Sequence, residues 1–105
     1  MNNSRAALQL AMERNPDQRN LLIIRSLSGD DSKTLTMPPK KADQIMGAID
    51  LDLTIKQTQV LNLRFDPTRI RTISEVARVL GISRARVHET LTIIGNKIND
   101  ELIKH

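Results

Sequence analysis

The chain has no cysteine, tryptophan or tyrosine, a single phenylalanine, and no uninterrupted apolar run longer than Leu21 to Ile24. Each absence removes a class of function. Without cysteine there is no disulfide and no thiolate metal site, and the chain suits a reducing compartment, so a cytoplasmic location is expected. So short an apolar run falls far below a membrane span or a signal-peptide core, and no membrane partner is expected. With Phe65 alone there is no aromatic platform for unstacked bases. No glycine-rich phosphate loop is present, and no serine or threonine stands in pattern with a base. Asp50 and Asp52 precede a capped helix and read as solvated charges rather than metal ligands, while His88 and His105 have no spaced ligand partners. The expectation is therefore of no catalytic site, no metal, no cofactor and no small-molecule substrate.

What is present is the composition of a small globular domain: 105 residues, 39% hydrophobic and 27% charged. Its core should be modest. The formal charge is +4, and its placement is more telling than its size. Between Arg64 and His88, six arginines (Arg64, Arg69, Arg71, Arg78, Arg84 and Arg86) stand against Asp66 and Glu75, so this stretch carries the whole excess. Arginine supplies every one of these positive charges. A guanidinium forks onto phosphate or guanine where an ammonium cannot, which points to nucleic acid.

The same stretch holds the strongest pattern in the chain, Thr72 to Thr92. Thr72 and Glu75 make a capping box, after which Ile73, Val76, Ala77 and Leu80 share one helical face. Gly81 ends that helix in a left-handed turn, and Ser83 caps the next one. Only Gly81 and Ile82 lie between. The two helices must then cross steeply, which requires a small residue at Ala77 and lets Ile82 and Val87 fill the angle. The pattern reads as the helix-turn-helix of a DNA-binding protein. The plain alternative is a helical hairpin in a structural bundle, where the arginines would be scattered or neutralised.

Elsewhere the signals are local. In residues 1–37, Ser4 can cap a helix with Ala7, Leu8, Ala11 and Met12 inward. Asn15, with Pro16 at the first helical position and Gln18 reaching back, can start a second helix through Leu27. A hairpin is the other reading, with Leu21 to Ile24 as one strand and Lys33 to Met37 as its return. This segment is read as an extension that either covers the core or pairs two chains. Pro38-Pro39 marks a boundary, and residues 38–105 form the second unit. Pro39 opens a helix with Ala42, Ile45, Met46 and Ile49 in one stripe. Thr54 and Gln57 form another capping box before Val60, Leu61 and Leu63, and Asp66-Pro67-Thr68 is a turn. The last helix runs from Arg84 nearly to the end, with Val87, Leu91, Ile94, Ile98 and Leu102 in one stripe about 30 Å long. That exceeds what a helix-turn-helix needs. The surplus packs on the N-terminal segment or on a second chain, and the second, a homodimer, is the expectation.

Because Val87 and Leu91 point inward, Arg84, Ala85, His88, Glu89 and Thr92 point outward as the base-contacting face. Arg64, Arg69, Arg71, Thr72, Ser83 and Arg86 are the candidate phosphate contacts. Leu53-Thr54, Val60-Leu61-Asn62-Leu63-Arg64-Phe65, Thr72-Ile73-Ser74-Glu75-Val76-Ala77, Leu80-Gly81-Ile82-Ser83-Arg84-Ala85-Arg86-Val87 and Lys97-Ile98 together resemble region 4 of the sigma-70 family over roughly Ala42 to Ile103. LuxR-type regulators share much of the pattern, but their loop before the first helix is usually shorter. The resemblance implies an all-α helix-turn-helix bundle that recognises promoter-like double-stranded DNA through Arg84 to Thr92, with RNA polymerase as a further partner. Where the family pattern usually has glutamate, arginine and glutamine, this chain has Ala85, His88 and Glu89, so its target sequence should differ. Nothing resembles the region that opens promoter DNA, so a complete initiation factor is not expected. A transcription regulator binding DNA as a homodimer is the first reading. A module that grips RNA polymerase or another regulator is the second.

Overall fold

In a computed structural model, which describes residues 4–29, Thr34 and residues 36–104, the chain is an all-α bundle. Its helices are α1 (Ser4–Arg14), α2 (Arg19–Ser28), α3 (Pro39–Asp50), α4 (Ile55–Arg64), α5 (Ile73–Leu80) and α6 (Arg84–Lys104). A 3-10 turn, Pro16–Gln18, joins α1 to α2, and Phe65–Asp66 pairs antiparallel with Arg69–Ile70 between α4 and α5. The Asp66 to Thr68 turn is thus the tip of a minimal hairpin. Phe65 lies opposite Ile70 and both are buried.

The bundle is built around α6. Its Val87, Leu91, Ile94, Ile98 and Leu102 are all buried, at the spacing the sequence sets. The helices α2, α3, α4 and α5 all pack on it. Leu21, Ile23 and Ile24 of α2 and Ala42, Ile45, Met46 and Ile49 of α3 join the same core. Each such side chain contributes about 1.5–3 kcal/mol when fully buried. The surplus turns of α6 are therefore covered within one chain, by α2 and α3, and the expectation that a second chain covers them is corrected. The reason is that residues 19–28 form a helix whose apolar side has no other place to go.

That helix also removes the hairpin alternative for residues 15–37, because Leu21 to Ile24 lie mid-helix; the return strand falls partly outside the described residues. Gly29, at φ 72°, closes α2 in a left-handed turn. The start of α2 differs from its sequence signal. Asn15 makes no side-chain cap; its amide Nδ2 donates back to the Ala11 carbonyl at 3.4 Å, so the chain makes a 3-10 turn and the α-helix begins only at Arg19. In α1, Met12 is buried and Leu8 and Ala11 are half-buried, but Ala7 is exposed. The capping role expected of the Ser4 side chain lies outside the described residues, as does His105.

Where α2 crosses α6 the two backbones nearly touch. A Cβ placed on Gly95 would lie 2.7 Å from the Leu27 carbonyl oxygen, which is backbone and cannot swing aside. Gly95→Ala should therefore destabilise the fold by about 1–3 kcal/mol through forced separation of the two helices. Gly47, mid-helix in α3 and exposed, has nothing near its would-be Cβ, so Gly47→Ala should stabilise by about 0.5–1 kcal/mol. Urea unfolding of both variants checks this pair. A neutral Gly95→Ala would disprove the close crossing.

Candidate nucleic-acid interface

The interface starts from two capping boxes. The Thr54 hydroxyl accepts from the Gln57 N–H while the Gln57 side chain accepts from the Thr54 N–H, and Thr72 and Glu75 repeat the arrangement. Each fixes a helix start, and loss of such a cap costs about 0.5–2 kcal/mol. Gly81, at φ 68°, ends α5, and the Gly81 and Ile82 N–H groups both donate to the Ala77 carbonyl. Ser83 Oγ then accepts from the Arg86 N–H at 3.1 Å. Val76, Ala77 and Val87 are buried at the crossing, and Ile82 is half-buried in the angle.

This crossing leaves Arg84, Ala85, His88, Glu89 and Thr92 exposed on one face of α6. Arg84, Ala85 and His88 line a shallow groove with Thr72, Ile73 and Ser74 at the start of α5 and Arg64 at the end of α4. Ser74 was not singled out from the sequence. Its signal was its position, two residues past a cap, where a hydroxyl joins the exposed helix start.

The six arginines divide into two kinds. Arg71 is largely buried; its Nη1 donates to Asp66 Oδ2 at 3.2 Å and to the Leu63 carbonyl at 3.3 Å. Arg64 donates to the Arg71 carbonyl at 2.8 Å and its guanidinium lies 5.3 Å from the Phe65 ring centre. Both brace the C-terminal end of α4, where carbonyls lack helical partners and cations are favoured. Arg19 does the same from α2, donating to the Phe65 carbonyl at 2.8 Å. Arg69 is more exposed and pairs with Glu75 at 2.8 Å. Arg78, Arg84 and Arg86 are exposed and make no ion pair among the described residues. The two acidic residues of the stretch are thus matched to Arg69 and Arg71, and the unmatched charge sits around the crossing.

Of the candidate phosphate contacts, Arg64 and Thr72 line this groove, Ser83 and Arg86 are exposed at the start of α6, Arg69 lies in a different groove beside Glu75, and Arg71 is turned inward. Thr72 and Ser83 use their hydroxyl oxygens as caps, which leaves each O–H able to donate to a phosphate oxygen. Asp52 pairs with Lys97 at 3.6 Å and Asp50 ends α3. Among the described residues, no helix is long and apolar enough to cross a membrane.

A short helix joined through a left-handed glycine turn to a second helix whose first turn exposes Arg84 and Arg86 is the arrangement of the helix-turn-helix class. Comparison with protein families narrows it: residues 52–93 match sigma-70, region 4, a DNA-binding, transcription-regulating family and not an enzymatic one. Over this stretch, less than half of its length, the chain is similar to sigma-70, region 4. The matched stretch is shorter than the Ala42 to Ile103 expected. Comparisons with curated proteins and with solved structures returned no match.

The hairpin that leads into the motif carries a pH signature. Hydrogen bonds from the Thr68 hydroxyl (2.7 Å) and N–H (2.9 Å) hold the Asp66 carboxyl below its ordinary range, and Arg71 adds to this. A carboxyl lowered in the folded state stabilises fully above its unfolded pKa, about 3.9, and that contribution is lost as pH falls through the lowered value. Asp66→Asn should therefore be less stable than the parent at neutral pH, and the gap should narrow as the solution is acidified below about pH 4. Thermal unfolding across that range is the measurement; a gap independent of pH would refute the assignment.

Proposed function

We propose that the protein is a sequence-specific regulator of transcription that binds double-stranded DNA by inserting the first turns of α6 into the major groove. The observation that carries this is the joint exposure of Arg84, Ala85, His88, Glu89 and Thr92 on one face, with Arg78, Arg84 and Arg86 making no ion pair among the described residues. In this reading Arg84 forks onto guanine, Glu89 accepts from a cytosine amino group, and His88 donates to a base edge between them. Arg64, Thr72, Ser83 and Arg86 hold phosphates on either side, and Arg69 joins them where Glu75 releases it. Arg71 supports the hairpin instead, because its guanidinium is largely buried and turned onto Asp66 and the Leu63 carbonyl.

The homodimer expected from the length of α6 loses that support, since the stripe is buried in cis. We infer that one chain is the unit that reads one half-site, and that any pairing on a twofold site, with recognition helices about 34 Å apart, uses other surfaces. One observation favours a protein partner such as RNA polymerase as well: Leu51 and Ile55 are 91% and 81% exposed at the end of α4 opposite Arg64. Two bare aliphatic side chains within five residues of sequence suit a protein contact better than a phosphate.

Selection of bound sequences from random duplex DNA tests the reading, with an enriched consensus as the expected result. Failure to enrich any sequence, together with retention on RNA polymerase, would replace it by the protein-binding module. On the selected duplex, Arg84→Ala should cost about 1–3 kcal/mol and relax preference at one base pair, whereas Arg86→Ala should weaken all duplexes alike. Identical effects of the two on preference would overturn the assignment of the α6 face.

A further inference from the structure

We propose that His88 reads its base pair as an imidazolium, so that the protein takes up a proton at this side chain when it binds a duplex and prefers guanine there more strongly as the pH falls. The inference rests on the DNA-binding reading above and deepens it, by naming the charge state in which one residue of the recognition face works.

His88 lies where two shallow grooves meet. The first runs between the start of α5 and Arg84, and the second between α2 and Thr92. Arg64, at the end of α4, lines both. Arg84 stands one turn before His88 on α6, and Glu89, next to it in sequence, is the acidic residue of the same exposed face. From α2 and α5 the walls of these grooves bring no charged side chain, and none of the described residues lining them is acidic. His88 is itself exposed and makes no hydrogen bond or ion pair among the described residues, so both ring nitrogens face a ligand unspent.

Histidine is the side chain that ordinarily changes charge between about pH 5 and 8. The neutral ring has one donor and one acceptor, and the protonated ring has two donors. That difference decides what it can read. In the major groove guanine presents two acceptors, N7 and O6, whereas adenine presents an acceptor beside an amino donor. A neutral ring can satisfy either purine. An imidazolium approaches acceptors only and is opposed by the adenine amino group. Proton uptake follows from the ligand, because a duplex carries one negative charge for about every 1.7 Å of its axis and an opposite charge favours the protonated ring. Arg64 and Arg84 oppose that charge and Glu89 favours it, but all three are present before and after binding. Only the duplex changes the balance. Affinity gained through this proton is fully present at acid pH and is lost as the pH rises through the range in which the bound ring gives the proton up. Binding therefore tightens on acidification, by at most about tenfold per pH unit for one proton.

The test uses the full chain and the duplex obtained by selection, with affinity measured from about pH 6 to about pH 8 at fixed salt. The parent should bind several-fold more tightly at the acid end. Its preference for guanine over adenine should widen there, at the base pair whose preference His88→Ala relaxes. His88→Gln keeps a donor and an acceptor but takes no proton, so it should bind like the parent at the alkaline end and show no rise on acidification. His88→Arg is charged throughout and should also be insensitive to pH. His105→Gln removes the other histidine of the sequence and should leave the parent's response intact. A parent that binds the duplex equally across the range, or a His88→Gln variant that keeps the parent's response, takes the proton away from His88 and sinks the inference. A parent with no salt-sensitive binding at any pH overturns instead the DNA reading on which it rests.

Discussion

A helix of 21 residues with one uninterrupted apolar stripe cannot remain exposed in water, and the burial of that stripe organises everything else in this protein. The stripe is too long for α5 to cover. Its burial draws on α2 and α3 as well as on α4 and α5. The N-terminal segment therefore closes the core of the motif, and Gly95 is the point at which closure is tightest. Because every apolar residue of the stripe faces inward, the opposite face at the start of α6 is left to Ala85 and polar side chains. The fold and the proposed recognition face are thus two sides of one helix.

The hairpin between α4 and α5 is the second fixed part. Residues this short in sequence and this polar would not hold a shape by strand pairing alone. They are held from outside. Gln9 of α1 accepts from the Ile70 N–H at 2.8 Å and donates to the Thr68 carbonyl at 2.9 Å, so an amide side chain borders the strand as a further edge would. Arg19 reaches the Phe65 carbonyl from α2, and Arg69 reaches Glu75 of the capping box. The start of α5 is consequently tied to α1, α2 and α4 before any ligand arrives. A preformed surface of this kind spends little ordering entropy on binding.

What the sequence made legible was local. Both capping boxes, the left-handed glycine after Leu80, the hydroxyl cap at Ser83 and the stripe of α6 all depend on residues within a few positions of one another, and all were found in place. The misreadings were of two kinds. Asn15 and Gln18 had the residue types of a cap, but the Asn15 amide was drawn to the end of the preceding helix, a competitor that a capping pattern does not register. The destination of the α6 stripe and the inward turn of Arg71 depend on partners from elsewhere in the fold. Nothing in a run of arginines says which guanidinium will meet a helix end and which will meet solvent. For the same reason Gln9 gave no sign that it would border a hairpin some sixty residues away.

The chemistry of the exposed face of α6 bears on what kind of reader this would be under the proposed function. Arg84 and His88 are donors one turn apart, Ala85 can offer only a methyl contact, and Glu89 is an acceptor with a full negative charge. A carboxylate placed against DNA is repelled by every phosphate it passes and is compensated only where a base presents a donor, as cytosine does in the major groove. Glu89 would therefore act more by penalising wrong sequences than by strengthening right ones. The arginines around the crossing would supply the attraction that makes this penalty tolerable, without regard to sequence. The proposed function thus assigns affinity and discrimination to different residues: Arg86 and its neighbours to holding the duplex, and the face from Arg84 to Thr92 to selecting which duplex is held.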